Sequence, residues 1–186
     1  MTGHQPFPVP VDERILTARL ELLPVVADDA EKLAEVFGDE RMYVFTGGRP
    51  GTLEELRATL ARLETGRAND REGTAQRNWT VRRRADGQAV GMLQAVFADG
   101  GRCAEIAWAV GVPFQAQGFA SEAAQAVVTW LAARGVQTVS AHIHPDHHAS
   151  VAVAARAGLQ PTDEYRDYRG IREQFWRRQA TAPRSV

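Results

Sequence analysis

Residues Glu105 to Ala124, EIAWAVGVPFQAQGFASEAA, join an extended apolar run to a Gly-containing turn that opens directly into a helix. Such a junction builds an anion site from backbone. The N–H groups of Gln117, Gly118, Phe119 and Ala120 have no helical partners and converge, and the positive end of the helix dipole favours a phosphate by about 0.3–1 kcal/mol at an exposed site. The chemistry expected there is the holding of a nucleotide-like cofactor. Glycine suits position 118, since a side chain would obstruct the approach of phosphate to the peptide. Glu122, in the first turn of that helix, reads as helix-start chemistry rather than catalysis. A second cluster, His142, His144, Asp146, His147 and His148, has residue types that bind zinc or nickel. Pro145 turns the chain within it, so it reads as a strand end and helix start, and no metal is expected. Arg82-Arg83-Arg84 is the one basic run; it reads as a solvated strand end or turn flank, the alternative being contact with phosphate or an acidic partner.

The elements that must position these residues follow from periodicity and caps. Arg19 to Val25 alternates as a strand, and Asp28 with Glu31 resembles a capping box opening a helix to Phe37, stopped by Gly38. Thr52 and Glu55 repeat that signature for a helix that buries Leu53, Leu56, Leu60 and Leu63 and ends at Gly66. Arg67 to Arg77 is polar and without period and reads as a mobile loop. Strands over Trp79–Arg84 and Ala89–Ala98 turn at Asp86-Gly87, and Asp99-Gly100-Gly101 leads into a third over Cys103–Val112. A helix over Ser121–Arg134 presents Ala124, Val127, Trp130, Leu131 and Arg134 on one face, with Gly135 closing it. Val136 to Ile143 then returns as a strand beside the third, through that crossover helix. A helix from His148 to Ala157 and a hairpin over Glu164–Arg178 turning at Arg169-Gly170 complete the order β-α-α-β-β-β-α-β-α-β-β.

This order predicts an α+β fold, a mixed and mainly antiparallel twisted sheet flanked by helices. Residues 15–179 read as one domain, with a flexible N-terminal arm at 1–14 and a C-terminal tail at 180–186. The 186 residues, 44% hydrophobic and 24% charged, suffice for one stable core. A net charge of −1 with no long single-sign block argues against nucleic-acid and membrane-surface partners. Cys103 is the single cysteine, no stretch approaches the roughly 20 apolar residues of a membrane span, and the N-terminus lacks a secretory pattern; a cytoplasmic location is expected. Neither a G-x-G-x-x-G nor a G-x-x-x-x-G-K-[ST] fingerprint occurs, which removes the usual support for dinucleotide and nucleotide-triphosphate enzymes.

The element order together with Gln115-Ala116-Gln117-Gly118-Phe119-Ala120 resembles the GCN5-related N-acetyltransferase (GNAT) superfamily, whose acetyl-CoA site carries a [QR]-x-x-G-x-[GA] segment. From Leu16-Thr17-Ala18-Arg19-Leu20 to Gly158-Leu159 the chain resembles its RimJ/RimL-type, ribosomal-protein-alanine branch. Ala104-Glu105-Ile106-Ala107-Trp108, Gly118 to Ala123, and His144-Pro145-Asp146 with Ala149-Ser150 add to the likeness. The resemblance implies a splayed strand pair at the acyl-CoA site, into which pantetheine enters as a false strand. It implies that Val110 and Val112 bond the pantetheine amides and that Gln115, Gln117, Gly118, Phe119 and Ala120 receive the pyrophosphate. Acetyl-CoA is then the acyl donor, with no metal.

Acetyl transfer needs a neutral amine, a place for charge on the thioester oxygen, and protonation of the departing thiolate. For an α-amine about a tenth is neutral at pH 7, whereas for a lysine it is less than about a thousandth, so a general base helps the first and is nearly essential for the second. By resemblance Glu105 is the candidate base; pairing with an arginine is its structural alternative. A backbone N–H near Val110 would stabilise the oxyanion. A tyrosine acid found in the superfamily would fall where Ala154 stands, which excludes tyrosine at that position. Ser150 remains as a group that bonds or protonates the sulfur, its alternative being a helix cap. Where many relatives carry Asn this chain has His147, which would keep the pantetheine contact with a different reach.

The acceptor is a primary amine, either a peptide N-terminus or a small amine of the antibiotic or polyamine kind. Its walls would be Gly38–Gly51, Arg67–Arg77, and the final hairpin with Tyr165, Tyr168 and Trp176. A homodimer is left open. The competing classes are a non-catalytic acyl-CoA sensor and a metal hydrolase built on the histidine cluster.

Overall fold

Trp79 and Thr80 are neighbours on one strand, so their side chains leave opposite faces of the sheet. Trp79 meets Trp130 edge to face, ring centroids 5.3 Å apart, while the Thr80 hydroxyl donates to Asp29 at 2.6 Å. Trp130 belongs to one helix layer and Asp29 to the start of another; the sheet lies between them. The computed structural model describes residues 13–65 and 75–179. Within these, the strands are β1 (Ile15–Leu16), β2 (Leu20–Pro24), β3 (Ala75–Arg83), β4 (Ala89–Ala98), β5 (Cys103–Val110), β6 (Thr138–Ile143), β7 (Gln160–Tyr168) and β8 (Ile171–Gln179). The helices are α1 (Ala30–Phe37), α2 (Leu53–Glu64), α3 (Phe119–Ala133) and α4 (His148–Arg156). The sheet order is β1-β2-β3-β4-β5-β6-β8-β7, with β5 and β6 parallel and the other neighbours antiparallel.

The mixed α+β architecture is the one expected, with the two-residue β1 as an additional strand. The crossover through α3 returns β6 parallel to β5, and α3 buries Ala124, Val127, Trp130 and Leu131 as its spacing predicts. The second capping box forms as read: Glu55 N donates to the Thr52 hydroxyl at 3.1 Å and Thr52 N to the Glu55 carboxylate at 2.8 Å. Of its leucines Leu60 is fully buried, Leu56 and Leu63 pack on the core, and Leu53 stays exposed.

Other boundaries differ. The Asp28–Glu31 capping box is absent; a short 3-10 turn over Ala27–Asp29 precedes α1, whose N-cap residue Asp29 makes no cap hydrogen bond. Its carboxylate, 2% exposed, is taken instead by Thr80 and Arg82 of β3. Arg82 is thus no solvated flank. Strand β3 begins at Ala75, inside the segment read as a loop; Gln76 and Asn78 bury their side chains along it, the Gln76 amide donating to Asn78 Oδ1 at 2.9 Å. The remainder of that loop, and the expected stop at Gly66, lie outside the described residues. So do the C-terminal tail and residues 1–12 of the N-terminal arm. Arg134 pairs with Glu13 and stacks over Trp130 at 4.0 Å, and Arg14 meets Glu21 at 3.4 Å.

Asp29→Ala would leave Thr80 without its acceptor and the Arg82 guanidinium without its counter-ion. A loss of about 3 kcal/mol in unfolding free energy is expected in urea. A loss under about 1 kcal/mol would show that the pair does not tie α1 to the sheet.

Candidate active site

Two adjacent strands that begin paired and then part create an edge inside a sheet. Here β5 and β6 pair only at Cys103–Glu105 against Thr138–Ser140, and beyond Glu105 no bridge joins them. Gly111 N donates to Val90 O at 2.9 Å, and Thr138 N to Arg102 O at 3.1 Å. Alternation along a strand then aims the backbone groups of Trp108 and Val110 away from β4 and into the gap. Gln115 confirms the direction, its side-chain amide reaching Val110 O at 3.0 Å. Strand β5 lies so close to β4 that a Cβ on Gly91 would sit 2.1 Å from Ala109 O.

Val110 therefore presents polar backbone to the gap. Val112 does not lie on the strand: β5 ends at Val110, and Val112 opens a 3-10 turn, Val112–Phe114, that Pro113 favours at its start. Trp108 is the gap-facing position that sequence reasoning missed, since only the pairing register identifies it.

The turn between this 3-10 segment and α3 is built for exposed N–H groups. Ala116 adopts φ +59° and Gly118 φ +82°, both left-handed. A non-glycine residue there is strained by about 1–2 kcal/mol, so Ala116 marks a loop held in shape by its surroundings. Gly118 is the N-cap of α3 and supplies no side-chain cap. Its carbonyl starts the helix, accepting from Glu122 N at 3.0 Å, and the N–H groups at the start of α3 stay open to an incoming anion. Residues Gln115 to Gly118 are exposed, Ala120 is half-buried, and Phe119 is buried. The side chains of Gln115 and Gln117 turn to backbone carbonyls, Gln117 to Pro113 O at 3.0 Å, rather than to the open N–H groups.

Glu122 does more than its position in the first turn suggests. It accepts from the Thr17 hydroxyl at 2.6 Å, from Arg19 N at 2.8 Å and from Arg19 Nε at 2.7 Å, while Arg19 Nη1 donates to Gln117 O at 2.9 Å. Burial opposes charge on Glu122, but the Thr17 and Arg19 hydrogen bonds outweigh it and hold its carboxyl below the ordinary value. The turn before β2 is thereby latched to the loop at the start of α3.

On the α1 side of the gap stand Glu105, His142 and His144. Glu105 meets His142 Nδ1 at 2.9 Å and Arg166 of β7 at 3.4 Å. Burial raises its pKa, yet the His142 hydrogen bond, with the charges of His142 and Arg166, prevails and leaves it lowered. Glu105 has the arginine partner that its structural reading foresaw, and a histidine besides. His142 also packs on Phe175, ring centroids 4.8 Å apart. Trp176 leaves the opposite face and is buried in the core, away from the side expected to hold the acceptor; Phe175, packed on His142, lies on that side. Tyr165 and Tyr168 remain exposed on the hairpin.

His147 is the N-cap of α4, and its ring stacks on Phe45 from the α1–α2 connection at 4.4 Å. Burial, then the charges of His144 and His148, lower its pKa and favour the neutral ring. His144 Nδ1 accepts from Asp146 N at 3.1 Å. Among the described residues no three potential metal ligands converge. Ser150, half-buried in the first turn of α4, is not its cap, and its hydroxyl has no hydrogen-bond partner among the described residues. Ala154 is fully buried.

A sheet parted beside an uncapped helix start can seat an extended, amide-bearing chain that ends in phosphates. The sequence pattern of the acetyltransferase (GNAT) domain matches residues 19–160, and the chain belongs to that family. Solved structures agree on the fold. The GNAT-family acetyltransferase from Bacillus anthracis is 20% identical and superposes with a TM-score of 0.75, over 90% of this chain and 98% of that one. An acetyl transferase from Salmonella typhimurium that modifies the N-terminal serine of ribosomal protein L7/L12 is 20% identical, with a TM-score of 0.75 over 91% and 100%. The microcin C7 self-immunity acetyltransferase MccE, solved with acetyl-CoA and AMP, is 14% identical, with a TM-score of 0.72 over 88% and 94%. No curated protein matches the chain in sequence. Among the described residues no helix is long and apolar enough to cross a membrane.

Proposed function

We propose that the protein transfers the acetyl group of acetyl-CoA to a primary amine by direct attack within a ternary complex. The observation that carries this reading is the unpaired β5 edge at Trp108 and Val110, continuous with the open N–H groups from Gln117 to Ala120. Pantetheine would pair with the edge, and the pyrophosphate would meet the N–H groups. Val112 and Gln115 would line the passage between them, and His147 would contact pantetheine from the opposite wall. Glu105 would receive the amine proton, directly or through water, and Ser150 would bond the departing sulfur or return a proton to it. The gap-facing N–H near Val110 would stabilise the oxyanion. The residues would hold this group by backbone, so the fit does not depend on particular side chains.

A peptide N-terminus is the favoured acceptor. It needs less help in deprotonation than a lysine, and the L7/L12-modifying enzyme shares the fold. Release of free CoA thiol should be measured over a panel of peptide N-termini and small amines. Turnover with a peptide and not with small amines is expected. Turnover only with small amines would move the acceptor to the antibiotic or polyamine kind. Tight acetyl-CoA binding without thiol release from any acceptor would replace the enzyme with a sensor.

A further inference from the structure

Arg83 and Arg84 take no part in the site so far. A solvent-open recess of about 540 Å³ adjoins the start of α3, lined by Arg19, Arg83, Arg84, Gln117 and Phe119 among others. Its three guanidinium groups come from the turn before β2, the end of β3 and the β3–β4 turn. Arg19 is neutralised by Glu122 at 2.7 Å and Arg83 by Asp86 at 2.5 Å. Arg84 donates to two neutral carbonyls, Thr17 O at 2.8 Å and Ala18 O at 3.2 Å, and has no carboxylate partner among the described residues. The recess therefore carries one uncompensated positive charge. Gln117 and Phe119 wall both the recess and the loop of open N–H groups, so a ligand lying across that loop reaches the arginines without crossing another barrier.

Coenzyme A carries two anionic groups, the pyrophosphate and the phosphomonoester on its ribose. Resting on the acyl-CoA reading above, we infer that the recess receives the 3′-phosphomonoester, with Arg84 as its principal counter-charge and Arg83 beside it. A planar guanidinium offers phosphate a fork of parallel donors, which suits a terminal phosphate better than a diester. The turn flank formed by this run is then also a phosphate contact, the second of the two readings its sequence allows.

Calorimetric titration of CoA and of 3′-dephospho-CoA into the full chain tests this directly. The native protein should bind CoA about tenfold more tightly, the effect of one charge-assisted hydrogen bond. In Arg84→Gln that ratio should fall towards one, since the ligand without the phosphate has nothing to lose, and in Arg83→Gln, whose charge Asp86 already meets, it should fall less. A purely structural role, such as holding Thr17 and Ala18, would weaken both ligands alike and leave the ratio unchanged. Equal affinity of the native protein for the two ligands, or an unaltered ratio in Arg84→Gln, overturns the inference. Failure of the native protein to bind either ligand overturns the acyl-CoA reading, and the subsite falls with it.

Discussion

Gly118→Trp is expected to abolish detectable acetyl-CoA binding while the protein still folds. Two effects act together at this position. The backbone sits at φ +82°, where an L side chain is strained by about 1–2 kcal/mol. A Cβ there would stand 3.3 Å from Arg19 Nη2, so an indole has to displace that guanidinium or lie across the open N–H groups. Gly118→Ala separates the contributions, since it carries the backbone strain with almost none of the bulk. Calorimetry should find a weakening of at least about a hundredfold for tryptophan and of less than about tenfold for alanine. Unchanged affinity in the tryptophan variant would remove the pyrophosphate from this loop.

Glu105→Gln should reduce turnover about a hundredfold at pH 7, the low end of what a positioned base contributes. The loss should shrink above pH 8, where an α-amine acceptor supplies its own neutral form. The direction of the Glu105 shift makes this reading clean. Its pKa lies below the ordinary 4.5, so the group is a carboxylate throughout the range in which any amine reacts. A rise of rate with pH near neutrality then reports the acceptor. The same shift has a stability consequence: the contribution of the Glu105 charge is complete above 4.5 and is lost as pH falls through the lowered value in the native state. A loss of rate that is flat across pH, with unchanged acetyl-CoA affinity, would assign Glu105 to holding His142 and Arg166 and would exclude it as base.

What the sequence disclosed and what it withheld divide along the range of the interactions. The Thr52–Glu55 box was legible because both partners lie within one turn, and the Asp86-Gly87 hairpin because glycine answers a local demand, φ +72°. Asp28 and Glu31 offered the same local pattern, but Asp29 found tertiary partners in Thr80 and Arg82, and buried charge pairing outweighs a surface cap. The role of Glu122 was hidden for the same reason, its partners Thr17 and Arg19 lying about a hundred residues earlier in the chain. Within the candidate site, the glycine-containing loop was legible as a motif. Trp108 was not, because its importance resides in its peptide group and in the register of β5 on β4, which no side chain announces.

The stack of Phe45 on His147 joins two half-sites that chemistry treats as separate. Phe45 belongs to the α1–α2 connection, proposed to wall the acceptor, and His147 caps α4, where the proposed function puts a pantetheine contact. A donor that claims the imidazole face must move Phe45 or share the ring with it, and free energy spent or released in that exchange is felt equally by the acceptor. Thermodynamic reciprocity then requires the affinity for donor to depend on whether an amine is already bound, by the same factor that donor changes the affinity for amine. One aromatic contact would thus couple the binding of the two substrates, whichever of them arrives first.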